Sequence, residues 1–176
     1  MPTQSMSPAQ IRRYYGEITG LRDAVAEQPI APSVPAGSVT DDTEQALILA
    51  GLLIDGGGRI DPHQLADALL RWEDDMRARG SLDLLGPSTK LALERVRAGA
   101  DPHCTGRQGT TNGAAMRVAP VGIAFSVSAD GDALARAVHA SCLVTHDTRQ
   151  GFEAAGLLAA AVSAAIDGVD ATGALG

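Results

Sequence analysis

The chain has 176 residues, of which 45% are apolar and only 3% aromatic, so it is long enough for one domain whose core is built from Ala, Leu and Val. Its 14 basic residues against 21 acidic ones give a net charge of −7, which argues against a nucleic-acid surface because phosphate binding needs a basic patch. No apolar run reaches the roughly 18–20 residues of a membrane span and the start has no signal-peptide layout, so we expect a cytoplasmic protein.

Helix signals recur along the chain, and persuasive alternating strand patterns are absent. A first helix is predicted from Pro8 to Tyr15, followed by a loop rich in Pro, Ala and Ser. The further helices are predicted at 41–54, 62–79, 88–98, 132–144 and 148–166, and another apolar segment begins near 114. One helix carries an apolar stripe at three- and four-residue spacing: Leu65, Leu69, Trp72 and Met76. These elements predict an all-α bundle that forms a single domain over residues 1–176.

The segment TDDTE, residues 40–44, opens the second predicted helix with more oxygen-bearing side chains than one helix start needs. Thr and Asp are preferred N-caps, and acids in a first turn favour the helix dipole, so capping is one interpretation. The other is metal binding. The following helix is apolar around its circumference, which predicts that it is buried, and buried carboxylates require compensation. Adjacent carboxylates and a hydroxyl are hard ligands suited to Mg²⁺, Mn²⁺ or Ca²⁺.

Two polar segments could contact an anion. In TGRQGTTNGAAMRVAP, residues 105–120, three glycines bracket hydroxyls and an amide just before an apolar helix, so backbone N–H groups could approach a phosphate. An ordinary capped loop is the alternative. In VTHDTRQGF, residues 144–152, His146 could donate to a phosphate or ribose, or simply occupy a turn between helices.

The two cysteines give no metal or redox motif. Cys104 and Cys142 stand far apart, which favours a reduced compartment. Cys104 follows His103, but two possible ligands in a loop fall short of a zinc set.

Four segments, in their order along the chain, resemble the ADP-ribosylglycohydrolase family, of the dinitrogenase-reductase-activating glycohydrolase type. VTDDTEQALILAGLL (39–53) is similar to its first metal motif, and LDLLGPSTKLAL (82–93) resembles the segment that follows. GTTNGAAMRVAP (109–120) resembles its Asn-Gly-Ala-Ala-Met-Arg phosphate loop. VTHDTRQGFEAAGLLAAAV (144–162) is similar to its His-containing helix.

The resemblance implies an orthogonal multi-helix bundle around a binuclear Mg²⁺ centre, with Mn²⁺ in some members. The implied reaction is hydrolysis of the glycosidic bond at the ribose anomeric carbon of ADP-ribose, carried by a small molecule or a modified protein. The implied metal ligands are Thr40, Asp41 and Asp42. The residues implied to line the diphosphate and ribose are Gly109, Thr110, Thr111, Asn112, Gly113 and His146. The catalytic candidates are Asp83, near the metals, and Gln4, where many hydrolytic members have Glu.

The chain also departs from the family pattern. A Gly-Asp-Ala-Leu-Gly-type motif before Met1 and a later Asp-x-Asp-Thr/Ser motif are missing, so we expect an incomplete domain. At position 4 the amide of Gln4 cannot act as a general base. Three hypotheses therefore remain: a Mg²⁺-dependent ADP-ribosyl hydrolase, a non-catalytic ADP-ribose-binding or structural member, and a hydrolase of a different ribosyl bond.

Overall fold

The computed structural model describes residues 2–79 and 85–169, and within these ranges it contains eight α-helices and no β-strand. The helices are α1 (Pro8–Tyr15), α2 (Asp41–Asp55), α3 (Pro62–Ala78), α4 (Pro87–Arg97), α5 (Gly113–Arg117), α6 (Ala119–Ala124), α7 (Gly131–Cys142) and α8 (Arg149–Ile166). The predicted all-α class is confirmed. None of the helices in the described ranges is long and apolar enough to cross a membrane.

The helix starts follow the caps that the sequence offers. Asp61 Oδ1 accepts hydrogen bonds from the N–H groups of His63 at 2.7 Å and Gln64 at 3.3 Å, with Pro62 in the first turn of α3. Thr148 Oγ1 accepts from the N–H of Gly151 at 3.1 Å and so caps α8. Each bond satisfies a backbone donor that the helix itself leaves unpaired.

The core lies where α8 packs on α5, α6 and α7, and where α2 packs on α3, α5 and α6. The contact between α6 and α8 depends on Gly122, because a Cβ there would collide with the main-chain oxygen of Ala159. The predicted stripe on α3 is buried throughout. Fully buried aliphatic side chains complete the core: Leu49, Leu65, Leu69, Leu93, Val118, Val121 and Val138.

The prediction that α2 is buried all round is wrong. Its buried side carries Gln45, Leu49 and Leu53, whereas Leu47 is 65% exposed and Ile54 is 79% exposed. The exposed side of α2 forms an apolar groove with α6. An apolar sequence all round a helix is compatible with burial, but burial also needs a neighbour on every side, and the described helices cover one side only.

The apolar segment after residue 113 forms two short helices. The chain leaves α5 at Val118 and enters α6 at Ala119, with Pro120 in the first turn of α6. Proline suits this place because the N–H it lacks has no partner in a first helical turn.

Candidate functional site

The acidic mouth, residues 40–44, lies where α2 begins. Thr40 is the N-cap residue, yet its side chain makes no capping hydrogen bond to the helix. Its hydroxyl donates to Asp42 Oδ2 at 2.7 Å. Asp41 is half-buried and Asp42 is exposed. The oxygens of these residues therefore lie together at the helix start, and capping by Thr40 does not account for them.

The charge of the acidic pair is poorly compensated by protein. Burial, reinforced by the neighbouring charge of Asp42, raises the pKa of Asp41 to about 6. No arginine, lysine or histidine in the described ranges forms an ion pair with either carboxylate. A divalent cation would relieve this repulsion, and two carboxylates with a hydroxyl are the oxygen ligands that Mg²⁺ accepts. The residues present fit such an ion.

Glu44, the third acid of the mouth, has a different role. Its carboxylate accepts a hydrogen bond from Trp72 Nε1 at 2.6 Å and from two Arg79 nitrogens at 2.9 and 3.0 Å. The hydrogen bonds from Arg79, opposed in part by burial, lower the pKa of Glu44. Glu44 therefore fastens α2 to α3, and the structure leaves Asp41 and Asp42 as the pair open to a ligand.

A chain of buried polar contacts connects α2 to the next candidate segment. Arg117 donates to Gln45 Oε1 at 2.9 Å and to Thr145 Oγ1 at 2.6 Å. Thr145 Oγ1 lies 2.8 Å from His146 Nδ1, and His146 Nε2 lies 2.9 Å from Thr111 Oγ1. Gln45 follows Asp41 by four positions, so the two share a face of α2. The network therefore places the acidic mouth and Thr111 on one framework.

Arg117 is a buried positive charge within this framework. Its side chain is fully buried, and burial lowers its pKa to about 10, so it remains charged at neutral pH. Its Nη2 also donates to the carbonyl of Ser141 at 2.9 Å, but within residues 2–79 and 85–169 no carboxylate pairs with it. Two buried nitrogens, Arg117 Nε and Gln45 Nε2, have no hydrogen-bond partner in those ranges. An uncompensated guanidinium favours an anion nearby.

His146 is a neutral, buried residue. Its exposure is 0%, and burial together with the charge of Arg117 lowers its pKa to about 4. Thr145 is fully buried whereas Thr111 is half-buried. In the tautomer that leaves no fully buried donor unpaired, the Thr145 hydroxyl donates to Nδ1 and the Nε2–H donates to Thr111 Oγ1. This leaves the Thr111 hydroxyl proton free to be donated elsewhere. His146 is thus placed to orient Thr111, and its predicted contact with a ligand stays a prediction.

The glycine loop, residues 109–113, combines buried glycines with accessible polar side chains. Gly109 and Gly113 are buried, Thr110 and Asn112 are exposed, and Thr111 is half-buried. A Cβ on Gly109 would collide with the carbonyl of Thr145, and one on Gly113 would lie 2.5 Å from His146 Cε1. Close packing against residues 145 and 146 therefore requires glycine at both positions.

The polar atoms of the glycine loop are partly paired. Ser88 Oγ accepts long hydrogen bonds from the N–H groups of Thr110 at 3.2 Å and Thr111 at 3.4 Å. Asn112 precedes α5, but its side chain does not cap that helix. An anion could replace the weak bonds to Ser88 and gain the amide of Asn112.

Of the two catalytic candidates, only Gln4 lies within the described residues. Its side chain is exposed in a turn, and its main-chain carbonyl accepts a hydrogen bond from Gln28 Nε2 at 2.8 Å. In the described ranges, no hydrogen bond joins its side chain to the acidic mouth. Asp83 lies outside the described residues. Both roles stay predictions.

Four residues of the supporting network were not predicted from the sequence: Ser88, Gln45, Arg117 and Thr145. Gln45 gave a signal, because it is an uncharged polar residue inside the long apolar run of α2. Arg117 lies within the segment GTTNGAAMRVAP (109–120), but the sequence indicated no role for it. Nothing local indicates that these two residues meet, because they are 72 positions apart.

The fold and the site define an all-α protein in which a pair of carboxylates at one helix start is joined to a glycine loop by buried polar contacts. The family model for ADP-ribosylglycohydrolase matches residues 1–175, and the chain belongs to that family. The predicted family is thereby confirmed.

Two curated proteins and one solved structure are similar to this chain. The chain is 32% identical to the uncharacterized protein YegU of Escherichia coli (strain K12), over 96% of this chain and 50% of that protein. It is 34% identical to an uncharacterized protein of Archaeoglobus fulgidus, over 83% of this chain and 44% of that protein. A solved structure titled an ADP-ribosylglycohydrolase-related protein complex matches with a TM-score of 0.61 and 31% identity, over 83% of this chain and 44% of the other. The chain spans about half the length of the curated relatives it matches.

Proposed function

We propose that the protein acts in Mg²⁺-dependent hydrolysis of ADP-ribosyl glycosidic bonds, on a small conjugate or an ADP-ribosylated protein. The observation that carries the proposal is the buried network from Gln45 to Thr111, which joins the acidic mouth to the glycine loop. Family membership supports a glycohydrolase-type reaction. The metal and the substrate are inferred from the residues of the site and from the family resemblance.

Thr40, Asp41 and Asp42 would hold the Mg²⁺. When bound, the ion would supply positive charge to hold ribose hydroxyls and polarise a water, as divalent ions do in hydrolases. Three protein residues are few for two ions, so waters, substrate or further protein ligands would complete their coordination. The role of the acidic pair itself is to fix the ion at the α2 start, on the side of the helix that faces Arg117.

The glycine loop would bind the diphosphate and ribose. Thr110 and Asn112 are exposed and offer a hydroxyl and an amide. The Thr111 hydroxyl is oriented by neutral His146, which is held in turn by Thr145. Beneath them, the charge of Arg117 favours an anionic ligand without contacting it. Buried charge held in place before the ligand arrives needs little reorganisation on binding.

Gln4 favours a second candidate function, namely binding of ADP-ribose without turnover. Its amide cannot take a proton from water as a carboxylate would. The same loop and acidic mouth would then bind the ligand, and hydrolysis would be absent. Asp83 is the other proposed catalytic residue, and substitution by Asn tests whether it contributes.

The experiment combines binding and turnover on the same protein. ADP-ribose binding is measured by calorimetry with Mg²⁺ and with EDTA, and release of ADP-ribose from an arginine-modified peptide is followed by chromatography. Asp41→Asn should abolish Mg²⁺-dependent binding, whereas Asp67→Asn, an exposed acid on α3, should not. Binding with release supports the hydrolase, and binding without release supports the second function. Absence of both rejects the site.

A further inference from the structure

A second cluster of ligand atoms lies away from the acidic mouth, where α3 begins and where the chain turns after α4. It consists of His63, Asp101 and His103, all exposed, whose candidate ligand atoms lie within 4.8 Å of one another. His63 is in the first turn of α3, and the other two belong to a turn almost forty positions later. The sequence offered His103 and its neighbour Cys104 as possible zinc ligands, and two ligands are too few for a zinc site.

The turn that carries two of the ligands is well fixed. Asp101 Oδ1 accepts hydrogen bonds from the backbone N–H of His103 at 3.0 Å and lies 2.9 Å from its ring Nδ1. The carbonyl of Asp101 accepts from the N–H of Cys104 at 2.9 Å. Pro102, which follows Asp101, is buried, and just after the turn the Thr105 hydroxyl donates to the carbonyl of Val144 at 2.7 Å. The ligands therefore project from an anchored turn and not from a loose loop.

The third ligand, His63, is held by the first turn of α3. The backbone N–H of His63 donates to Asp61 Oδ1 at 2.7 Å, which fixes the first turn of α3. The His63 and His103 rings meet edge to face, with centroids 5.3 Å apart and planes at 63°. Two imidazoles from separate elements thus converge on one carboxylate.

We propose that His63, Asp101 and His103 form a surface site for a Zn²⁺-type transition-metal ion, with water as the remaining ligand. Imidazole nitrogens with one carboxylate are a donor set for Zn²⁺, whereas Mg²⁺ prefers oxygen alone. Two atoms bound to one Zn²⁺ at about 2.0–2.1 Å each lie at most about 4 Å apart. Small rotations of exposed side chains bring the present spacing into that range.

The test is a calorimetric titration of the protein with ZnCl₂ at neutral pH in a non-chelating buffer. Because the acidic mouth is itself proposed to bind a divalent ion, all titrations use the Asp41→Asn background, in which we expect one saturable Zn²⁺ site per chain. Because loss of a residue that only orients a ligand already costs about 10–100-fold in affinity, His63→Gln and His103→Gln should each lower the Zn²⁺ affinity by at least about tenfold. Both side chains are exposed, so the variants should keep the wild-type circular dichroism spectrum.

His139 provides a matched control. It is an exposed histidine beside an acid, 3.3 Å from Asp147, so His139→Gln tests for general binding to surface histidines and should leave the Zn²⁺ affinity unchanged. Absence of stoichiometric binding, an unchanged affinity in His63→Gln, or an equal loss in His139→Gln would overturn the proposal.

As a second readout, Co²⁺ replaces Zn²⁺ and its visible absorption reports the ligands directly. The Asp41→Asn protein should give a saturable visible spectrum that Zn²⁺ displaces. The same spectrum in the double variant His63→Gln/His103→Gln would contradict the assignment, whatever the calorimetry gives.

Discussion

His146 Nε2 lies 2.9 Å from Thr111 Oγ1, and this contact joins a wholly buried polar network to a loop that reaches the surface. Everything behind it, from Thr145 through Arg117 to Gln45, is removed from water. Buried networks of this kind are sensitive to the loss of a partner, because a polar group left unpaired away from water is costly. The stability of the core and the geometry of the glycine loop therefore depend on the same few hydrogen bonds.

Thr145→Val should destabilise the protein. The change keeps the shape of the side chain but removes the oxygen that Arg117 and His146 contact at 2.6 and 2.8 Å. Leaving buried polar groups unpaired costs about 1–3 kcal/mol each, so the free energy of unfolding should fall by at least that amount. Urea denaturation measures it. Thr43→Val, on the exposed part of α2, is the control and should change little. Equal stability of Thr145→Val and wild type would show that the network is dispensable.

His146 should make the fold sensitive to mild acid. Its pKa is about 4 in the folded protein and near 6.5 when unfolded. Below pH 6.5 this histidine binds a proton in the unfolded chain but not in the folded one. The free energy of unfolding therefore falls as the pH drops from about 6.5 to 4, by up to about 3 kcal/mol. The measurement is urea denaturation across this range. His146→Gln should remove this part of the slope, and an unchanged slope would contradict the assigned burial.

The sequence predicted the helices well because their signals are local. The positions of the long helices and the apolar stripe on α3 depend on neighbours within a turn or two, and both are confirmed. The burial of α2 could not be predicted in the same way, because it depends on which helices pack against it. Arg117 and Gln45 form a contact across 72 positions, and single-sequence patterns carry no such pairing. The site was thus predictable as segments, and its connecting framework was not.

Asp41→Asn should separate electrostatic cost from metal binding. Burial and Asp42 raise the pKa of Asp41 to about 6, so the ionised carboxylate opposes folding at pH 7, and the opposition fades as pH falls below 6. Without Mg²⁺ the variant should therefore be more stable, by about 1 kcal/mol once solvent screening is allowed for.

With Mg²⁺ bound, the wild type should become more stable than Asp41→Asn. At ten- to a hundredfold above its Kd, the ion should stabilise the wild type by about 1.4–2.7 kcal/mol and leave Asp41→Asn unaffected. The measurement is urea denaturation in MgCl₂ and in EDTA, with Asp67→Asn as a control that should respond to Mg²⁺ like the wild type. Equal responses of the wild type and Asp41→Asn would remove Asp41 from the metal site.

Gly109→Ala should be costly for a steric reason. The added Cβ meets the carbonyl of Thr145, which is main chain and cannot rotate away. Overpacking of this kind costs about 1–3 kcal/mol, and the shift would also disturb the contact between His146 and Thr111. Thermal denaturation should show a lower Tm, and ADP-ribose binding should weaken with it.

Gly156→Ala is the matched control, because the same added methyl has an opposite expected effect. Gly156 lies inside α8, and apart from its chain neighbours and the nearby backbone of its own helix, a Cβ there meets no atom within 4 Å. Alanine in a helix interior is favoured over glycine by about 0.5–1 kcal/mol, so the Tm should rise and ligand binding should stay unchanged. If both variants moved the Tm in the same direction, the close approach of Gly109 to Thr145 would not be what requires glycine in the loop.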